Sequence, residues 1–425
     1  MNEHATITRV AVDAGSLVTK VVSGRSEPPD EELTLDTELH AAVTGRGREG
    51  AALDAALATA RESRVGSDGD IAVTVPVPDA WLDGSAEGAL RYEAIRHLAE
   101  DQLGLTRVSW AGQLASVAVL AASQRGFAAP GRYLICDAGG SGVRVAACDM
   151  SGRTVRTLAV HDAPGGGWAD FDAAIRTALN AGRDPGLDEW YRSAAEQDRR
   201  ARMVFDRART AADFRDARVY SVGGYELTAG QAADCFAPTA DRIRAGAAAV
   251  LGAGAPSVAV LTGGLAWFPL TQQAVTDASG ATPVVLGPEA AAAGALLLAS
   301  GQAELAPHGL PAVAVPGHRI TDGLLEEESL PLPWTDSFTS LDGGPLVLAE
   351  PALTLDIGGR QVRLAVPGLV SGPYRVGVRP AWSGTGVVVL RAPRIPPAAV
   401  AQAPDPQSGR DVFVIPLNLQ EVPDE

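Results

Sequence analysis

The sequence predicts an α/β domain with an internal duplication, followed by a smaller, mainly-β domain. Three observations carry that expectation. Residues 7–301 alternate apolar strand-like runs with Ala-rich helical stretches. Within them, 12-VDAGS-16 returns in form as 136-CDAGG-140, each time between two apolar strands, so one strand–turn–strand unit occurs twice. Beyond residue 318 the character changes to short Val- and Leu-rich runs separated by Gly and Pro turns, and no helical pattern follows.

Taken in order, strands are expected at 7–13 and 18–23, on either side of the first turn, and at 70–75. The acidic stretch 25–36 reads as a solvated loop or an edge strand. Helices are expected at 86–102 and 113–125, the second within 108-VSWAGQLASVAVLAAS-123. Strands at 132–137, 142–149 and 154–160 surround the second turn, and helices at 168–181, 187–213 and 228–252 follow. A strand at 257–262 runs into Gly263-Gly264 and a helix at 269–279, which Pro269 opens because proline suits the first helical turn. The last helix is expected at 288–300. The α/β domain then spans 1–302, with duplicated parts of about 1–128 and 129–302. Pro- and Gly-punctuated 303–317 reads as a linker. The β domain occupies 318–425, with strands at 345–350, 352–356, 361–366, 373–379, 386–391 and 411–417, and an exposed loop at 397–410.

Composition narrows the function. Charged residues are 20% and apolar residues 46%, values of a globular chain. A net charge of −16 opposes nucleic-acid binding and docking on anionic membranes. The N-terminus shows no signal-peptide pattern, and the apolar run 289–300 is too short to span a bilayer, so a cytoplasmic location is expected. Cys136, Cys148 and Cys235 read as buried reduced thiols, and the six histidines form no pair at ligand spacing. The near absence of lysine beside abundant Ala, Gly, Arg and Pro suggests a GC-rich bacterial genome.

Of the 35 basic residues only Lys20 is a lysine, and it sits just after the first turn. A compact ammonium fits a tight phosphate loop that excludes the broad guanidinium fork. An Asp at a strand end followed by small residues has a physical use. Glycines let backbone N–H groups approach a phosphate, and the carboxylate can hold hydrated Mg²⁺. Two such turns facing each other would clamp a β/γ-phosphate; an ordinary hairpin turn is the plain alternative for either alone. Gly263 and Gly264 form a third element, whose chain can pass close to a nucleoside near a helix N-terminus. Trp267, just beyond, is either a core residue or a stacking partner for a purine.

In order and spacing these elements resemble the actin/hexokinase/heat-shock ATPase superfamily over residues 7–301, and within it the heat-shock-70 (DnaK-like) family. Segments 70-DIAVTVPVPDAW-81, 164-PGGGWADFDAAI-175, 206-DRARTAAD-213, 226-ELTAGQAAD-234 and 287-GPEAAAAGALLLAS-300 are similar to that family's motifs in the same order. The resemblance implies a duplicated, actin-like (ribonuclease-H-like) fold that binds ATP or ADP with Mg²⁺ between two lobes. Asp13 and Asp137 would hold the Mg²⁺ shell. The backbone around Ala14, Gly15, Ser16, Gly139, Gly140 and Ser141 would wrap the phosphates, and Gly263 and Gly264 would approach the nucleoside. Asp206 and Arg209 match residues beside the ribose and base, and Trp267 replaces the family's base-stacking arginine.

Two departures matter. Gln113 stands where the chaperones place a glutamate; there, and in the spacing of Asp13, Ser16 and Lys20, the chain resembles actins. Only residues 23–67 separate the first hairpin from the strand at 70, too few for the chaperone subdomain that carries its catalytic lysine, so Lys20 takes over as the charge at the phosphates. A glutamine orients water without being a strong base, which implies slow hydrolysis. After the domain, 322-DGLLEEESLPLPW-334 only faintly echoes the chaperone linker, and no lid follows. The resemblance thus implies a slow Mg²⁺-dependent ATPase whose nucleotide state acts, chaperone-like, on the β domain or a protein partner. A nucleotide-sensing scaffold with weak catalysis and an actin-like filament protein are the alternatives.

Overall fold

The computed structural model describes residues 8–14, 18–25, 34–41, 71–97, 99, 107–180, 204, 215–222, 224–252, 254–306, 309–321, 324–334, 346–348, 350–391 and 412–417. The helix expected at 187–213 lies outside these residues except at Val204. The chain divides into two compact units, Met1–Asp79 with Leu103–Ala306, and Ala80–Gln102 with Pro307–Glu425.

The first unit begins with β1 (Thr8–Ala14), β2 (Val18–Arg25), β3 (Thr34–Ala41), β4 (Ile71–Val77) and β5 (Val108–Gly112), arranged β3-β2-β1-β4-β5. The pairs β1–β2 and β2–β3 are antiparallel; β1–β4 and β4–β5 are parallel. Between β4 and β5 come a 3-10 turn (Asp79–Leu82) and helix α1 (Ala86–His97). Helix α2 (Gln113–Ser123) follows β5 directly. A second sheet starts with β6 (Gly131–Ala138), β7 (Gly142–Ser151) and β8 (Thr154–Pro164). Helix α3 (Trp168–Ala178), the hairpin β9 (Arg218–Val222) and β10 (Tyr225–Thr228), and helix α4 (Ala229–Leu251) come next. The unit ends with β11 (Val258–Thr262), α5 (Pro269–Ser279), β12 (Val284–Val285), α6 (Ala290–Ala299) and β13 (Glu304–Leu305).

The second sheet is ordered β12-β11-β6-β7-β8-β13. With the short edge strand β13 set aside, its order and directions repeat those of the first sheet: β6–β7 and β7–β8 are antiparallel, β6–β11 and β11–β12 parallel. In each sheet the first strand ends on Asp-Ala and pairs antiparallel with the second. The fold is therefore mixed α/β with one topology used twice.

Both faces of the second sheet are covered, which explains why β6 reads as a continuous apolar run. Leu134, Cys136 and Ala138 face a core with Phe171, Phe236, Ile243 and Phe268. Tyr133 and Ile135 face the opposite core, built on Leu114, Val117, Ala118 and Ala121 of α2. The two helices that follow a sheet's fifth strand exchange partners. Helix α2 leaves the first sheet and packs on the second. Helix α6 leaves the second and sets Ala292, Ala293 and Leu296 against Ala11 and Val22 of the first. The helices cross at Gly294, where any Cβ would collide with the Ser116 carbonyl, so small residues set this contact.

The second unit is a β-sandwich. Strands β14 (Val313–Thr321), β15 (Leu324–Leu332), β17 (Ala352–Ile357) and β18 (Arg360–Ala365) form one antiparallel sheet in the order β15-β14-β17-β18. Strands β16 (Leu346–Leu348), β19 (Gly372–Pro380), β20 (Gly386–Arg391) and β21 (Val412–Leu417) form the other in chain order. One core joins them: Leu353, Leu355 and Ile357 from the first meet Val376, Val378, Val388 and Leu390 from the second.

Three sequence expectations are corrected. The segment 303–317 holds β13 and the start of β14, because its Val residues alternate into the sandwich core. The acidic run 324–332 is a strand, paired along its length with β14. Helix α1, placed by the sequence in the first lobe, belongs to the second unit. Its Ala89 packs on Val387 and Val389, and Trp382 donates its backbone N–H to the Leu82 carbonyl at 3.1 Å. The buried face of α1 also carries Glu93 and Arg96. Glu93 Oε1 lies 3.3 Å from Nη1 of Arg379, itself buried, whose guanidinium stacks 3.8 Å from the Tyr92 ring centroid.

Candidate functional site

The first unit contains a cleft whose lining joins both repeats. Asp13, Lys20, Gln113, Asp137, Gly139, Gly140, Gly263 and Gly264, each singled out from sequence, line it together with Arg144 and Thr262. Ser141 is exposed on the same turn but is not part of the lining. Ala14 is the last residue of β1, paired with Thr19. Gly15, Ser16, Asp206 and Arg209 lie outside the described residues. Trp267 is not brought to the cleft: its ring meets the edge of Phe268, with centroids 5.9 Å apart, beside the aromatic core.

Strand register builds the charged part. Asp13 of β1 stands opposite Lys20 of β2, and Lys20 Nζ donates to Asp13 Oδ2 at 2.9 Å. The second repeat does the same: Asp137 of β6 stands opposite Arg144 of β7, whose Nη2 donates to Asp137 Oδ2 at 2.6 Å. Gln113, the first residue of α2, bridges the two repeats. Its Nε2 donates to Asp13 Oδ1 at 2.7 Å, and its Oε1 accepts from Nη1 of Arg144. One hydrogen-bonded chain thus runs Lys20–Asp13–Gln113–Arg144–Asp137. Burial disfavours charge on Arg144, but Asp137 first, then Asp13, Asp162 and Asp79, outweigh it and hold the guanidinium more firmly protonated than usual.

Arg144 was missed in the sequence. The signal was there: Arg144 follows Asp137 by the same seven positions that separate Lys20 from Asp13. In antiparallel strands joined by a short turn, that spacing sets the two side chains directly opposite each other.

The second turn packs on the start of α3. The backbone N–H of Trp168 donates to the Gly139 carbonyl at 2.9 Å, and that of Ala169 to the Gly140 carbonyl at 3.0 Å. A trans peptide points its C=O and N–H in opposite directions. With both carbonyls turned to the start of α3, the N–H groups of Gly140 and Ser141 point away from that helix. Glycine is required where the elements touch: a Cβ on Gly167 would lie 2.7 Å from the Gly140 carbonyl oxygen. Gly263, at φ +94°, would put one 2.6 Å from the Ala138 carbonyl oxygen, whereas a Cβ on Gly264 would meet nothing within 4 Å.

Asp79 supports the site from behind. Helix α2 starts at Gly112 without a side-chain cap of its own, and Asp79 Oδ2 accepts the Leu114 N–H at 2.8 Å instead. Burial pushes the Asp79 carboxyl up to about 6, opposed by the Leu114 N–H and the charge of Arg144. A carboxyl raised in the folded state contributes its full stability below its unfolded value, 3.8, and loses it as pH rises through about 6. The loss is on the order of 3 kcal/mol. Asp79→Asn keeps the acceptor and abolishes the titration. Denaturant midpoints at pH 5 and pH 7.5 should therefore differ less in the variant than in the parent; an equal difference would exclude Asp79 as the titrating group.

The cysteines are not part of this chemistry. Cys136 and Cys148 are buried and burial raises both thiols; Cys235 is half-buried and also raised, and all three are unbridged. Among the described residues no helix is long and apolar enough to cross a membrane. Compared with known proteins, the chain matches no family model and no curated protein.

Proposed function

We propose that this protein binds ATP in the cleft of its first unit and works as a slow nucleotide-dependent switch with the C-terminal sandwich as its output. The observation that carries the reading is the pairing of two equivalent strand–turn–strand units, each with an acid and a base seven positions apart, around one glycine-lined cleft. Support for a divergent actin- and heat-shock-70-like domain comes from the strand order used twice and from the exchange of α2 and α6 between sheets.

Lys20 and Arg144 supply two positive charges for the β- and γ-phosphates, and Gly139 and Gly140 let the backbone of the second turn come close to them. Gly263 and Gly264 leave room for the nucleoside end. Gln113 ties the repeats together: one amide hydrogen goes to Asp13 and its oxygen accepts from Arg144. A glutamine orients water without being a strong base, which favours binding and sensing over rapid turnover.

Magnesium does not fit the donor set as it stands. A divalent ion prefers oxygen donors free of competing cations. Here both oxygens of Asp13 are engaged, by Lys20 and Gln113, and one oxygen of Asp137 is engaged by Arg144. Among the described residues no three His, Cys, Asp or Glu side chains gather as a ligand group. Two unit charges 4 Å apart interact by about 4 kcal/mol at an effective dielectric of about 20, and a divalent ion doubles the repulsion from Arg144.

Isothermal titration of the full chain with ATP, ADP and adenosine tests the reading. ATP should bind most tightly and adenosine weakest, because the charges are aimed at phosphates. Equal affinity for ATP and adenosine, or no binding of either, would refute it. A colorimetric phosphate assay on the same sample separates switch from enzyme, with turnover well below 1 per second expected.

A further inference from the structure

We propose that Arg144 takes the place of a divalent cation in this cleft, so that the protein binds nucleoside triphosphate without metal. The proposal rests on the nucleotide reading above and specifies the charge state of its ligand.

The argument is geometric. Arg144 lies in the middle strand of a row: Asp137 is its partner on β6 and Asp162 its partner on β8. Its two terminal nitrogens reach different groups, Nη2 to Asp137 and Nη1 to Gln113, and Gln113 passes the link on to Asp13. The guanidinium therefore links the carboxylates of the two repeats, Asp137 directly and Asp13 through Gln113, a task a bridging cation would perform. It is covalently attached, planar and always charged, and its fork suits phosphate oxygens as well as carboxylates. The first repeat has no such bridge: there the base is Lys20, opposite Leu39 on its other side. The duplication thus places a point charge on one side of the phosphates and a bidentate donor on the other. A phosphate chain entering between them meets Lys20 and Arg144 as its cations, and each carboxylate of the cleft already holds one of those two.

Titration of the full chain with ATP in EDTA and again in excess magnesium chloride tests this. The dissociation constants should agree within fivefold, and magnesium chloride alone should give no saturable heat. An ATP affinity at least fivefold weaker in EDTA, or saturable binding of magnesium alone, overturns the inference and leaves the nucleotide reading standing. Failure to bind ATP in both buffers overturns both. Arg144→Gln should weaken ATP binding in EDTA at least tenfold, and Arg144→Lys should recover part of the loss by returning the charge. Circular dichroism confirms that each variant is folded. A folded Arg144→Gln that binds ATP in EDTA as the parent does would also overturn the inference.

Discussion

Lys20→Ala is expected to weaken ATP binding by a factor of about 10–150 while adenosine affinity changes less than about twofold. A hydrogen bond between charged partners contributes about 1.5–3 kcal/mol, and 1.4 kcal/mol is a factor of ten. Removing the ammonium also leaves Asp13 hydrogen-bonded by Gln113 alone among the described side chains, a negative charge facing the phosphates. The side chains of Lys20 and Asp13 are only 14% and 5% exposed, so water screens this repulsion poorly. Lys20→Arg should recover part of the affinity, since it restores charge but brings a broader head group to a tight turn. Competition titrations with ATP and adenosine read the outcome. Parallel losses for both ligands would mean that Lys20 supports the fold instead of the phosphates.

The second large effect lies in the sandwich unit. Glu93→Ala should destabilise that unit by about 3–5 kcal/mol, the usual cost of removing one partner from a buried ion pair. Glu93 and Arg379 are both nearly inaccessible, and Arg96 lies 3.9 Å from the same carboxylate oxygen. Nη2 of Arg379 already has no hydrogen-bond partner among the described residues, so the site has no slack for a second loss. The double variant Glu93→Met, Arg379→Leu should be less destabilised than the single one, because it removes the stranded charge along with its partner. Calorimetry of the full chain should show the change in the sandwich transition. A Glu93→Ala protein within 1 kcal/mol of the parent would exclude this pair as what holds α1.

Much of the site was legible from short-range order. An Asp, a small-residue turn and a base seven positions on determine their own geometry in a hairpin, because antiparallel register follows from the turn. Asp13, Lys20, Asp137 and the glycines could therefore be named without coordinates. Arg144 obeyed the same rule and was hidden only by the abundance of arginine, which removed the contrast that marked Lys20. Gln113 could be located, but its role could not: that both ends of its amide are taken depends on two side chains from different sheets. Trp267 looked like a partner for a base, and packing turned it to the edge of Phe268.

The sequence by itself determined the elements whose signal is periodic: the strands around both turns, helices α2 to α6, and most sandwich strands. It also determined the existence of a repeat. Only the tertiary structure decided where α1 belongs. Its buried face includes Glu93 and Arg96, which in a linear reading look like a solvated side; Arg379, which pairs with Glu93, comes from β19, and Val387 and Val389, on which Ala89 packs, from β20. It likewise decided that α2 and α6 trade sheets, since an Ala-rich helix is apolar on every side and carries no record of which surface it will meet. Local pattern specifies how a segment folds when its neighbours are close in sequence. Where the partner is distant, burial of charge and the fit of small residues such as Gly294 against Ser116 make the choice.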